Sequence, residues 1–389
     1  MSFRAALFPL AAGCLLGCGS DPLEPEPEST RPPEDVATAI GRGDGSAASV
    51  SLFVVYEAEA GQIPNALEWN PNARAELWVT LTQPASGVLC LEAAPDPVAC
   101  NALEGRMAIL RRATTDAPSV DVEIDANAWH FMRNPRQLAW GSAGALATCG
   151  EARTANYEDE EIPYNGPVLW DSDPTLFGAP FDPDRNGSHI DMLHETPYCM
   201  GITHESANVY WTFNGDVGAL DRYDFNQPHV PGGEDHSDGA LWRYTEGELV
   251  RVPEVPSHLA YDARREIVYA ADTGNGRVVA LDATSGAADG DVITYDPIQT
   301  HVRMSGAALT ELVSPGVLTA PSGLAFHEGV LFVTDHATSR ILALSPNGDV
   351  LRELDTGLPA NSLAGIAIGP DGKAYLADML GRRVLRIDG

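Results

Sequence analysis

Four histidines are the side chains in this sequence best suited to chemistry. His130 lies seven residues before Gln137, His194 lies seven before Gly201, and His258 itself begins a short apolar run. His236 sits in the acidic stretch Glu234-Asp235-His236-Ser237-Asp238-Gly239. Imidazoles gathered from separated positions suit zinc, a borderline-soft ion that takes nitrogen ligands. The competing reading is that these rings cap loops and bond to nearby carbonyls. A second constellation is Asp182, Asp184, Asn186 and Asp191, whose oxygens recur about the turn at Gly187. Calcium takes six to eight oxygen ligands, so this is a candidate calcium loop. It is no EF-hand, because Leu193 stands where the closing acid would be, and an ordinary Asp/Asn/Gly loop accounts for the same residues. No Gly-x-Ser-x-Gly, phosphate loop or dinucleotide fingerprint is present. The run Glu158-Asp159-Glu160-Glu161 reads as a solvated loop.

These candidates must be positioned by a repeating unit. Six runs of the form small–apolar–Ala/Glu/Thr–aromatic or apolar begin at Ala66, Gln137, Gly201, His258, Gly323 and Gly365. Each is followed by a second run, ending on Thr80, Thr148, Thr212, Ala271, Thr334 and Ala377 in turn. The alternation of apolar and polar residues, rich in β-branched and aromatic types, predicts strands. Short strands recurring in this way cannot each bury a face alone and must stack on one another. In the last three units Asp272, Asp335 and Asp378 each stand five residues before Arg277, Arg340 and Arg383. That spacing predicts a clasp across one hairpin, or a carboxylate satisfying turn amides. The final unit has three strands and an orphan strand, Val50 to Tyr56, precedes the first. The predicted solution is a ring closed by that strand, which removes an exposed edge.

The pattern Gly365-Ile-Ala…Tyr375-Leu-Ala-Asp378…Arg382-Arg-Val-Leu-Arg-Ile387, with its sisters in units four and five, resembles the NHL repeat of six-bladed β-propellers. The resemblance spans about residues 50–389 and is specific in units four to six. It implies an all-β, six-bladed propeller. The family includes scaffolds, extracellular sensor domains and enzymes, among them the zinc- and calcium-dependent lyase that matures amidated peptides. That lyase branch places zinc-binding histidines at the start of inner strands; here only His258 matches, since the sister positions are Ala66, Gln137, Gly201, Gly323 and Gly365. In a propeller, Cys149 and Cys199 fall on one face of adjacent blades and can pair, while Cys90 and Cys100 flank a loop leaving the first blade. Trp129, Trp140, Trp170, Trp211 and Trp242 fit packing between blades, the alternative being a platform for a carbohydrate or peptide.

The termini and composition set the setting. Residues 1–17 read as a signal peptide, and Leu15-Leu16-Gly17-Cys18 resembles a lipobox with Cys18 as the lipidated residue. Residues 18–49, rich in Pro, Glu and Gly, read as a flexible tether. These features predict a protein lipid-anchored in a bacterial cell envelope, at the outer membrane or cell surface because Gly19 is not the aspartate of inner-membrane retention, with the periplasmic face as the alternative. A net charge of −31 with one lysine, Lys373, excludes a nucleic-acid partner of the usual basic kind. The expected function is a binding module for a protein, peptide or small molecule at one face of the ring. The alternative is a metal-dependent lyase or hydrolase with His194, His236 and His258 lining the channel mouth, and Arg133 or Arg136 nearby for substrate charge.

Overall fold

Each predicted run becomes the innermost strand of a small antiparallel sheet. These strands are Ile63–Trp69, Pro135–Trp140, Cys199–Ser206, Leu259–Asp262, Pro321–His327 and Leu363–Ile368. They touch one another in cyclic order, the sixth returning to the first, so the sheets stand radially about one axis as a six-bladed β-propeller. The computed structural model describes residues 31–83, 104–142, 144–155, 162–182 and 184–389. Cys18, Cys90, Cys100 and the acidic run at 158–161 therefore lie outside the described residues.

The small residue that ends the second run has a physical use. The Thr80 hydroxyl accepts the Ala66 amide at 3.1 Å. Thr334 accepts the Gly323 amide at 2.8 Å and donates to the Ala364 carbonyl of the next blade. A threonine thus satisfies main-chain groups where inner strands crowd the axis. Crowding also explains the glycines there: a Cβ on Gly201 would stand 2.1 Å from the Ser257 carbonyl oxygen, and one on Gly323 2.2 Å from that of Ala364.

Asp272 and Asp378 clasp Arg277 and Arg383 at 2.7 Å, each pair directly opposed across its hairpin. Asp335 opposes Arg340 in the same register but takes the other predicted role, accepting the amides of Thr319 and Ala320 while Arg340 pairs with Glu353. The strand Ser51–Glu57 closes the ring by pairing antiparallel with Arg383–Asp388, Phe53 opposite Arg386. The Arg386 guanidinium lies 4.6 Å over the Phe53 ring.

Two features depart from the expected layout. Residues 33–40 form helical turns whose Val36, Ala37, Ala39 and Ile40 are buried against blades five and six. The packed body thus extends upstream of the boundary that composition set at residue 50, because four apolar residues within five positions can bury together. Blade three has six strands rather than four. The hairpin Ala287–Asp291 and Thr300–Ser305 interrupts blade four between its third and fourth strands and adds to blade three, Thr300–Ser305 running parallel to Ala240–Tyr244. Cys149 and Cys199 form a disulfide joining blades two and three, with Cα atoms 5.2 Å apart. Among the described residues, no helix is long and apolar enough to cross a membrane.

Candidate functional site

Where blades two and three meet, away from the axis, the fold gathers five histidines. His189 opens the outermost strand of blade two, His189–Met192. His194 follows in the link to blade three, and His229 and His236 come from the loop between the third and fourth strands of blade three. That loop is laid along the edge of His189–Met192: the His229 amide donates to Ile190 and the Gly232 amide to His189. His130, in the short helix Ala128–Phe131, meets the His194 ring edge-on at 5.9 Å.

Four of the rings share one arrangement. Nδ1 of His189 contacts the Asn186 carbonyl at 2.9 Å and Nδ1 of His229 the Val230 carbonyl at 2.7 Å. Nδ1 of His236 contacts Asp191 at 2.8 Å, and Nδ1 of His194 contacts Asp296 at 2.9 Å. An oxygen acceptor at Nδ1 requires the proton there, which leaves Nε2 with a lone pair. His194 Nε2 and His229 Nε2 are both buried with no partner, as is the second carboxylate oxygen of Asp191. Carboxylate or carbonyl partners behind imidazoles are the outer shell that orients metal ligands. Among the described residues, His189, His229 and His236 are the one group of three His, Cys, Asp or Glu whose ligand atoms all lie within 4.8 Å of one another. A tetrahedral zinc with bonds of about 2.0–2.1 Å needs nitrogens roughly 3.3 Å apart, so the set would have to draw in to hold one.

Burial dominates the electrostatics. It pushes His189 down to about 2, helped by the neighbouring His229 and His236. It also lowers His194 against the opposing bond to Asp296. For His236 the bond to Asp191 outweighs burial and raises its affinity for the proton. Asp296 is held below the usual carboxylate range, burial being overcome by its bonds to His194. Glu195, beside it, accepts the amides of Tyr295 and Asp296 and is pushed up to about 7 by burial.

Of the four histidines chosen from sequence, three come together, at the junction of blades two and three rather than at the channel mouth, and one does not. His258 lies at the axis, where its Nε2 donates to the Arg136 carbonyl at 2.9 Å and burial pushes it down to about 4. Seven residues of lead-in carry His130 and His194 outward from the inner strands, whereas His258 begins one, so the two registers sit at different radii. His189 and His229 were missed. His189 lies inside the candidate calcium loop, where it passes for a spacer, and Asp296 arrives from a residue 102 positions beyond His194 with no local signal.

In the oxygen-rich loop, the candidate calcium ligands take partners within the protein. Asn186 Oδ1 accepts from Asn127 at 2.6 Å, Asp191 serves His236 and the Met192 amide, and Asp182 accepts the Asp184 amide. The loop is pinned by buried Asp125, which accepts the amide and the hydroxyl of Ser188. Gly187, at φ +68°, lies so close that a Cβ would stand 2.5 Å from the same carboxylate.

No family model matches the chain, and no curated protein matches it in sequence. Solved structures match in fold. An auxiliary nutrient binding protein from Bacteroides ovatus is 12% identical, with 87% of this chain and 76% of that chain covered and a TM-score of 0.49. A comparable protein from Bacteroides thetaiotaomicron is 12% identical over 84% of this chain and 69% of that one, at a TM-score of 0.48. A catalytically inactive virginiamycin B lyase from Staphylococcus aureus, solved with quinupristin, is 12% identical over 87% and 85%, at 0.46. These are likenesses of fold alone.

Proposed function

We propose that this chain is an envelope-anchored propeller that binds one divalent ion of the zinc class through His189, His229 and His236, and acts as a binding module built around that ion. The observations that support it are that each imidazole has Nδ1 engaged by oxygen and that the three residues bring ligand atoms within 4.8 Å of one another. Nitrogen ligands favour zinc, copper or nickel over calcium and magnesium. A surface of net charge −31 concentrates cations near such a site. Three protein ligands leave a fourth position for solvent, a side chain or a bound partner. The hairpin clasps of the last blades support kinship with NHL-type propellers, and the lipobox residues support anchoring through Cys18.

The test is metal analysis and calorimetric zinc titration of the untagged chain. One zinc per chain, lost in His236→Ala and His189→Ala but kept in His258→Ala, is the expected result. Absence of stoichiometric zinc, or equal loss in His258→Ala, would overturn the assignment. A hydrolytic or lyase role is the second reading, favoured by the three-histidine set and by Glu195 poised near neutrality beside Asp296. Zinc-dependent turnover of an activated ester, abolished by Glu195→Gln with zinc still bound, would select it.

A further inference from the structure

The axis of the ring is blocked. Gln137 reaches across from blade two: its Oε1 accepts the amides of Ile202 and Leu259 and its Nε2 donates to the Leu259 carbonyl. His258 reaches back from blade four to the Arg136 carbonyl. The glycines at the sister positions make room for these two side chains, which leave a blind cup of about 400 Å³ on one side.

The cup wall carries one anomaly. Two residues beyond the axial position, five blades place Ala139, Thr203, Ala260, Ala325 and Ala367, whereas blade one places Glu68. Its Oε2 accepts the Trp140 amide at 3.1 Å, and no lysine or arginine lines the cup. Protein surrounds this carboxyl on nearly every side even though it opens to the cavity, and that enclosure pushes it up to about 8. The next position outward is aromatic in four blades, Trp69, Trp140, Tyr261 and Phe326. A carboxyl enclosed without a cation is costly unless something balances it. Aromatic faces attract cations by their quadrupole, by about 0.5–2 kcal/mol each.

We infer that the cup is a binding site for a compact organic cation, an ammonium group on an apolar body, with Glu68 as counter-ion and the aromatic residues as its walls. This site is independent of the histidine cluster and stands or falls without it.

Choline and its neutral isostere 3,3-dimethylbutanol are the probes, followed by calorimetry on the full chain. Choline is expected to bind at least tenfold more tightly than the isostere at pH 8.5. Glu68→Ala, the residue its sister strands already carry, is expected to abolish that preference with the fold intact by circular dichroism; Glu68→Gln is the isosteric control. Choline affinity is expected to rise as pH increases from 7 to 9 and then level, since only the ionised carboxylate balances the charge. His236→Ala is expected to leave choline binding unchanged. Equal affinity for the two probes, or a preference that survives both Glu68 variants, would overturn the inference.

Discussion

His258 shows how far one ring can be understood from its partners. Its side chain fills the axis as a neutral donor, and burial holds it at about 4 against an ordinary value near 6.5. A base whose folded value is depressed contributes stability in full above its unfolded value and loses it as pH falls through the folded one. The window is therefore pH 6.5 down to 4, and the total is about 3 kcal/mol. His258→Gln, an amide like the Gln137 already lodged there, should show a correspondingly smaller drop in urea-derived stability between those two pH values. Asp191 offers a second measurement. As the partner orienting His236, its change to Asn should weaken zinc binding by about 10–100-fold in a titration, whereas Asp184→Ala should leave it unchanged. Sequence spacing brought out His130 and His194 because a fixed lead-in to a repeated strand is a geometric statement, while His236 stood out only by its acidic neighbours. Spacing was silent on His229, whose place depends on a loop folding onto another blade's edge.

At the scale of elements, the disulfide and the borrowed hairpin matter most. Cys149 and Cys199 are 50 residues apart, and they bracket His189, Asp191 and His194. By chain entropy, closing such a loop stabilises the fold by about 4 kcal/mol. The double variant Cys149→Ser/Cys199→Ser should lose stability of that order in denaturant titrations and should bind zinc less tightly, because the segment bearing these side chains gains freedom. That pair was readable from blade positions. The hairpin was not: its first strand, Ala287–Asp291, is exposed throughout and carries no apolar alternation to announce it. The closing strand, by contrast, announced itself as apolar alternation without a partner.

For the whole molecule, six equivalent runs carried the circular architecture into view, while the blocked axis stayed hidden because Gln137 and His258 occupy the register of glycines. The proposed anchoring through Cys18 belongs to this scale too. Cys18→Ser should move the protein from the membrane to the soluble fraction of expressing cells, and fractionation with immunoblotting measures it. The transfer of strands between blades has a further consequence, for the order of synthesis. When Ala240–Tyr244 leaves the ribosome, blade three holds its own four strands, yet its flank still awaits Thr300–Ser305. At about 5–20 residues per second that partner emerges roughly 3–12 seconds later. During that interval the nascent chain presents an open ladder of amides and carbonyls, and Asp296 has not yet arrived to seat His194. Blade three is thus finished only after its successor has three of its four strands, which makes this junction the point where a chaperone, or a second nascent chain, would find a vacancy to fill.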